Sequence, residues 1–382
     1  VARWFYKDGL KQEQIAKALR CDVRKVRWLL NAAKQNGIVR IDIDEQPGEE
    51  IESLQNEFLK RYRHLKKVVI VPGGAIESEA EYSYLLRKWG FEAAAYLDTL
   101  ADSGQDLQVG VSGGETILEA MTALPNRLRA NVHFYALALI GRGRLVNASH
   151  VDPSINSTVG WARSGRLPGH CHYATVPPYD RDLGSRRAIA DELNRLAARK
   201  PIEHVIRDMD EINVAFVGLG VVNPGGNNPA LTNSHINRIA MTGLLKPLGI
   251  TPNDLAKEGA FGDLAYCLFD SNGQENPRDA QGNKLSKDHW RFFLTAGHYD
   301  AKRRGVEFYR QMVIDSEAQT LRSILNEEIE QGLSATGTKE GKKVIAIAGA
   351  FKEDAILVGL KGKLFNVWFT NEAAARKIAE AD

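Results

Sequence analysis

LQVGVSGGETILEA, residues 107–120, passes from an apolar pentad through paired glycines into a segment of helical periodicity. A short apolar run, a glycine turn and a helix in that order form the repeating unit of a parallel sheet. Gly113 and Gly114 let the backbone approach an anion, and the helix that follows offers unpaired N–H groups to it. Glu115 complicates a phosphate reading. A carboxylate beside phosphate repels it unless the side chain points away or accepts a ligand hydroxyl. The stretch predicts a ligand loop and leaves open whether the ligand is phosphorylated.

The same alternation runs outward in both directions. Strands are predicted at 68–71, 107–111, 132–140, 173–176, 213–220, 344–350 and 364–369, and helices at 78–100, 115–124, 185–199, 316–331 and 371–381. This pattern predicts an α/β fold with a doubly wound, mostly parallel sheet, which takes ligands at the carboxyl ends of its strands. VVNPGGNNP follows the strand at 213–220, and Gly259-Ala260-Phe261-Gly262-Asp263 precedes the apolar run LAYCLF. Lys352 follows VIAIAGA, and Thr370-Asn371-Glu372 follow LFNVWF. Strand-end placement makes Gly113, Gly114, Glu115, Thr116, Asp263, Lys352 and Thr370 candidates for one effector pocket.

The whole chain has 382 residues, 43% of them hydrophobic and 26% charged, within the range of globular proteins with more than one domain. No apolar run approaches the roughly 20 residues of a membrane helix, and VARWFYKDG at the start lacks the apolar core of a signal peptide. Cys21, Cys171 and Cys267 lie far apart and form no CxxC, which fits a reducing cytoplasm. His170-Cys171-His172 has one-residue spacing and no evident further ligand, so no metal is expected. No Walker lysine or GxSxG serine follows a glycine loop, and no cofactor is expected.

Charge is unevenly placed. Residues 1–41 hold ten basic and three acidic side chains, a net +7, whereas the remainder holds forty basic and forty-five acidic ones. Within QEQIAKALRCDVRKVRWLLNAAKQNGIVRI (12–41), Ile15, Ala16 and Leu19 mark one short helix face. Val26, Leu29, Leu30 and Ala33 mark a second, with Asp22 as its N-cap and Gly37 past its end. Two short helices joined by a tight turn predict a helix-turn-helix, its second helix entering the major groove. Trp4, Phe5 and Leu10 complete a small core. Arg24, Lys25, Arg27 and Trp28 are expected to project toward double-stranded DNA, with Gln12 placed to bond a phosphate. An acidic stretch with Pro47-Gly48 follows, and Ile51, Leu54, Phe58 and Leu59 predict an amphipathic helix leading into the body.

FYKDGLKQEQIAKAL followed by VRKVRWLLNAAKQNGIV resembles the N-terminal domain of the SorC family of bacterial sugar-responsive transcription regulators. VGVSGGETILEA, INVAFVGLG, GAFGDLAYCLFDSNGQ and VIAIAGAFKEDAILVGLKGKLFNVWFTNEAAARKI extend the resemblance over nearly the whole chain. It implies an effector domain similar to sugar-phosphate isomerases. It also implies Gly114, Thr116 and Lys352 on an effector phosphate, and Asp263 on effector hydroxyls. This chain departs from the family at four places, one of them a segment between Asp270 and Val344 that is longer than the resemblance implies. Arg20 lies near a position where relatives commonly carry a small residue, often glycine. Arg27-Trp28 replaces a common Ser-Arg pair, and Asn371 stands where relatives often have aspartate.

The expected organisation is a DNA-binding domain at 1–45, an acidic linker and short helix at 46–64, and an effector domain at 65–382. Its extension around 270–343 reads as a polar surface excursion. The expected protein is a cytoplasmic homodimer or homotetramer that binds operator DNA and a sugar, polyol or sugar phosphate, without a membrane partner. The rival is a sugar-phosphate isomerase or deaminase with Asp263 as base and Lys352 as electrophile. No second acid–base group is visible for it.

Overall fold

The basic segment folds as three short helices, α1 (Ala2–Tyr6), α2 (Gln12–Leu19) and α3 (Val23–Gln35). The structure, a computed structural model, describes residues 1–35, 39, 48–102, 104, 106–112, 115–123, 132–136, 171–172, 211–222, 256–257, 259–265, 267–274, 306–329 and 341–382. These form two compact units, Val1–Gln46 and Pro47–Asp382.

In the first unit Ile15, Ala16, Val26 and Leu30 form the buried centre, with Trp4, Phe5, Leu10, Cys21 and Val23 packed around it. Asp22 caps α3: its Oδ1 accepts from the Arg24 N–H at 2.6 Å and its carbonyl accepts from Lys25 at 3.0 Å. Leu19, expected in the core, is 41% exposed.

The turn after α2 is a Schellman closure. The Arg20 N–H donates to Lys17 O at 3.2 Å and the Cys21 N–H to Ala16 O at 3.0 Å, with Arg20 in the left-handed region (φ 50°). An L residue there carries a steric cost that glycine lacks. Arg20→Gly is expected to stabilise the first unit by about 1 kcal/mol. Urea unfolding of the full chain followed by tryptophan fluorescence checks this; a lower midpoint would contradict it.

The second unit is built on a sheet of strands β1 (Lys67–Val71), β2 (Leu107–Val111), β3 (Val132–Ala136), β4 (Cys171–His172), β5 (Val214–Val221), β6 (Gly262–Leu264), β7 (Cys267–Phe269), β8 (Lys343–Ile347) and β9 (Val367–Asn371). Its order is β1-β9-β8-β5-β2-β3-β4, with every neighbouring pair parallel, and β6–β7 is an antiparallel hairpin attached to β5. The helices are α4 (Glu49–Arg61), α5 (Glu79–Asp102), α6 (Glu115–Ala123), α7 (Val306–Ile329), α8 (Glu353–Lys361) and α9 (Glu372–Ala381).

Successive residues of the central strands point to opposite, equally buried faces. Val344, Ala346, Ala215, Val217 and Trp368 join one apolar cluster with side chains of α4, α7, α8 and α9. Ile345, Ile347, Val214, Phe216, Val367 and Phe369 join a second with α5 and α6. Burial on both faces explains why these strands read as continuous apolar runs. Phe58 of α4 meets Trp368 edge-on at 5.0 Å between ring centroids, so the helix that follows the acidic stretch packs on the body.

Four expectations change in detail. LFNVWF is only half strand, because Asn366 leaves the apolar run to bond the backbone of the β8 region. Its Oδ1 accepts from Val344 N at 2.8 Å and its Nδ2 donates to Lys342 O at 3.0 Å. β9 therefore starts at Val367 and includes Thr370 and Asn371, placed by sequence after the strand. α7 begins ten residues before the expected helix, and its Val306, Tyr309, Met312 and Val313 are buried. So this part of the extended segment is core, and not surface. Arg310 of α7 further donates to the carbonyls of Gly362 (2.8 Å) and Gly273. Readings at 137–140, 173–176, 185–199, 223–229 and 275–300, with Gly37 and His170, lie outside the described residues.

Candidate functional site

Strand order locates the site. From β2 the chain proceeds outward to β3 and β4, whereas from β5 it proceeds the other way to β8 and β9. β2 and β5 are neighbours with register Val109↔Val214 to Val111↔Phe216, so the winding reverses between them. Ligands of open α/β sheets bind at the carboxyl ends of strands beside such a reversal.

Ser112 closes the end of β2 onto β5. Its N–H donates to Phe216 O at 2.9 Å, and its Oγ accepts from the Gly218 N–H at 3.0 Å. Ser112 thereby ties the two strands together at the reversal. Gly113 and Gly114 lie outside the described residues. Glu115 and Thr116 are the first two residues of α6, and Thr116 is buried.

From the far side of β5, Gly220 pairs with Asp263 of β6. Asp263 is buried, and a methyl group added at Gly220 would sit 2.0 Å from its Oδ1. The glycine is therefore what leaves room for the carboxylate. Lys352 reaches the same spot: its Nζ donates to Leu219 O at 2.5 Å. The turn that presents it is strained, since Phe351 has φ 71° and Lys352 begins α8 as its N-cap. An ammonium and a carboxylate thus converge on Leu219-Gly220, on the strand that neighbours β2. A compact cation holds oxygen or phosphate, and a carboxylate accepts from hydroxyls.

Thr370 belongs to a neighbouring group. It is fully buried, and its Oγ1 finds no hydrogen-bond partner among the described residues. Asn371 accepts from Ala350 N at 2.9 Å through Oδ1, which ties β9 to the turn before Lys352. This bond works with either amide or carboxylate oxygen, so asparagine keeps a contact that aspartate would make. Gly349 is pressed between Asn371 Oδ1 and the Trp89 ring. On α6, burial raises the carboxyl pKa of Glu119, opposed by the Arg87 cation.

Sequence reasoning named Asp263, Lys352 and Thr116 but missed Ser112 as a tie, Gly220 as the space for Asp263, and the β6–β7 hairpin. Two glycines at one strand end, Gly218 and Gly220, were the available signal. On the first unit, Arg24, Lys25, Arg27 and Trp28 are all exposed along α3, and Gln12 is half-exposed at the start of α2. Asp263 and Lys352 are both placed against β5, whereas Thr370 lies on β9, with β8 between the two strands.

The chain thus joins a doubly wound sheet, with polar side chains gathered at its strand ends, to a basic three-helix unit. The Sugar-bind family model, described as "Putative sugar-binding domain", matches residues 49–286, more than half of the chain. The chain belongs to this sugar-binding family, within the SorC-type transcription regulators, and it is a regulator and not an enzyme. It is 24% identical to a sorbitol operon regulator of Klebsiella pneumoniae over 280 residues, 72% of this chain and 76% of the relative. With the transcriptional regulator LsrR of Enterobacter sp. (strain 638) it shares 25% identity over 380 residues, 99% of this chain and 91% of the relative. The fold is similar to that of the full-length sorbitol operon regulator SorC from Klebsiella pneumoniae, with TM-score 0.57 and 21% identity over 99% of this chain and 96% of that one.

Proposed function

We propose that the larger unit binds a sugar, polyol or sugar phosphate at the ends of β2 and β5, and that the bound ligand changes operator affinity. The convergence of Lys352 and Asp263 on Leu219-Gly220, on the strand that neighbours β2, carries this reading. Gly113, Gly114, Thr116 and Lys352 take the anionic or most polar oxygen, and Asp263 accepts from hydroxyls. Glu115 and Thr370 border the ligand. The first unit binds double-stranded operator DNA through Gln12, Arg24, Lys25, Arg27 and Trp28. The effector domain starts with α4, whose apolar face is part of its core. The regulator works in the cytoplasm as a homodimer or homotetramer, in which the effector favours one placement of the DNA-binding heads. Among the described residues no helix is long and apolar enough to cross a membrane.

One relative regulates a sorbitol operon, so hexitols, hexoses and their phosphates are the first compounds to screen. Thermal shift with matched free and phosphorylated pairs tests the reading. At least one compound is expected to raise Tm, and to go on raising it with the logarithm of its concentration above Kd. Lys352→Ala is expected to weaken that compound roughly 10- to 100-fold, the usual loss for a charge-assisted hydrogen bond. An unchanged affinity in Lys352→Ala would remove this site from the assignment.

A further inference from the structure

Trp28 is 65% exposed, the largest exposure among the described large hydrophobic side chains. The core of its unit does not use it: Ile15, Ala16, Val26 and Leu30 are already buried together, and Trp28 is absent from the side chains packed around them. Exposed indole in water is unfavourable in proportion to its apolar area, so a partner that covers it gains free energy.

The surroundings of the ring select the partner. Arg24 lies one turn before Trp28 on α3, Lys25 three residues before, Arg27 beside it and Asn31 three residues after, all exposed. α3 contains no acidic residue. A second copy of this face would bring like charges together, whereas a polyanion would be attracted. Trp28 is also the sixth residue of the helix that the proposed function places in the major groove, within its first two turns, the part that meets base edges. Indole carries one N–H donor and no acceptor, so it lacks the bidentate pairing by which arginine takes guanine. What it offers is a broad apolar surface, and the one apolar group on a base edge in the major groove is the thymine methyl.

We infer that Trp28 is a specificity-determining residue that packs on a thymine C5-methyl in each operator half-site. This rests on the first unit being the DNA-binding unit. Compared with an arginine at this position, it shifts preference from guanine to thymine at that base pair.

The test uses the full chain. Duplexes selected from a random pool are measured by fluorescence anisotropy, with each thymine replaced in turn by deoxyuridine, which removes only the methyl. The wild type is expected to lose roughly 5- to 20-fold in affinity at one thymine per half-site. Trp28→Ala is expected to bind thymine and deoxyuridine duplexes equally, with the salt dependence of the wild type, since the phosphate contacts remain. Trp28→Arg is expected to select guanine at that position. The inference is overturned if no single deoxyuridine costs the wild type more than about 2-fold, or if Trp28→Ala keeps the thymine preference. Salt-dependent binding that persists in those cases leaves the DNA-binding reading standing, whereas no binding to any duplex removes both.

Discussion

Gly220→Ala is expected to shift the effector response to roughly 10- to 100-fold higher concentration while leaving operator binding intact in the absence of effector. The new methyl would lie 2.0 Å from Asp263 Oδ1, 2.9 Å from its Cγ and 3.3 Å from its Oδ2. The first two distances are closer than nonbonded atoms approach, so the carboxylate must leave its place or the β6–β7 hairpin must shift. Either movement removes the hydroxyl acceptor from its position against Gly220. Hydrogen bonds to a charged group contribute about 1.5–3 kcal/mol, so effector affinity should fall roughly 10- to 100-fold. Stability should fall less, by about 1–2 kcal/mol, because β6 and β7 lie at the rim of the sheet and can move together. Isothermal titration with the effector found by thermal shift checks the first figure, and urea unfolding the second. Effector affinity within twofold of the wild type would show that Asp263 is not a ligand-binding group.

The second large effect is on stability. Gly90 lies in α5 where α6 crosses it, and a methyl there would meet Glu119 C at 2.7 Å, Glu119 O at 2.8 Å and Ala120 N at 2.9 Å. All three are backbone atoms, so no side-chain rotation relieves the contact and the two helices must separate. Trp89, Ala93, Leu97, Ile117, Ala120 and Met121 are all buried in the cluster beneath them. Opening it costs dispersion contacts along both helices. Gly90→Ala is expected to cost about 3 kcal/mol, at the upper end for an overpacked core position. Because α6 begins with Glu115-Thr116, its displacement should also weaken effector binding. A melting profile indistinguishable from the wild type would contradict the close crossing.

The fold was legible where burial repeats along the chain. Val344 to Ile347 and Val214 to Val217 read as buried strands because both faces of the sheet are covered, and Ile15, Val26 and Leu30 read as helix faces because a small core needs few positions. What stayed hidden depends on backbone conformation or distant pairing. Nothing local marks Arg20 as left-handed; the cost is tolerated because two hydrogen bonds close the turn. LFNVWF looked like one strand because apolar composition cannot reveal that Asn366 bonds across to Val344. α7 was read too short because Arg310, Gln311 and Asp315 interrupt its apolar face, although Val306 and Tyr309 are buried. At the site, Lys352 and Asp263 could be named as strand-end residues. Their placement against Leu219-Gly220 depends on β5 pairing with β6 and on the strained turn at Phe351, which no spacing in the sequence encodes.

The central claim is that ligand bound at the ends of β2 and β5 controls operator affinity. Its most direct measurement is the anisotropy of a selected operator duplex titrated with full-length protein, with and without a saturating effector, in wild type and Lys352→Ala. Both proteins are expected to bind equally without effector. The effector should change the wild-type midpoint by roughly 5- to 150-fold, the usual range of coupling between two sites, and Lys352→Ala should need roughly 10- to 100-fold more effector for the same change. An operator affinity indifferent to every sugar, polyol or sugar phosphate that raises Tm would contradict the account.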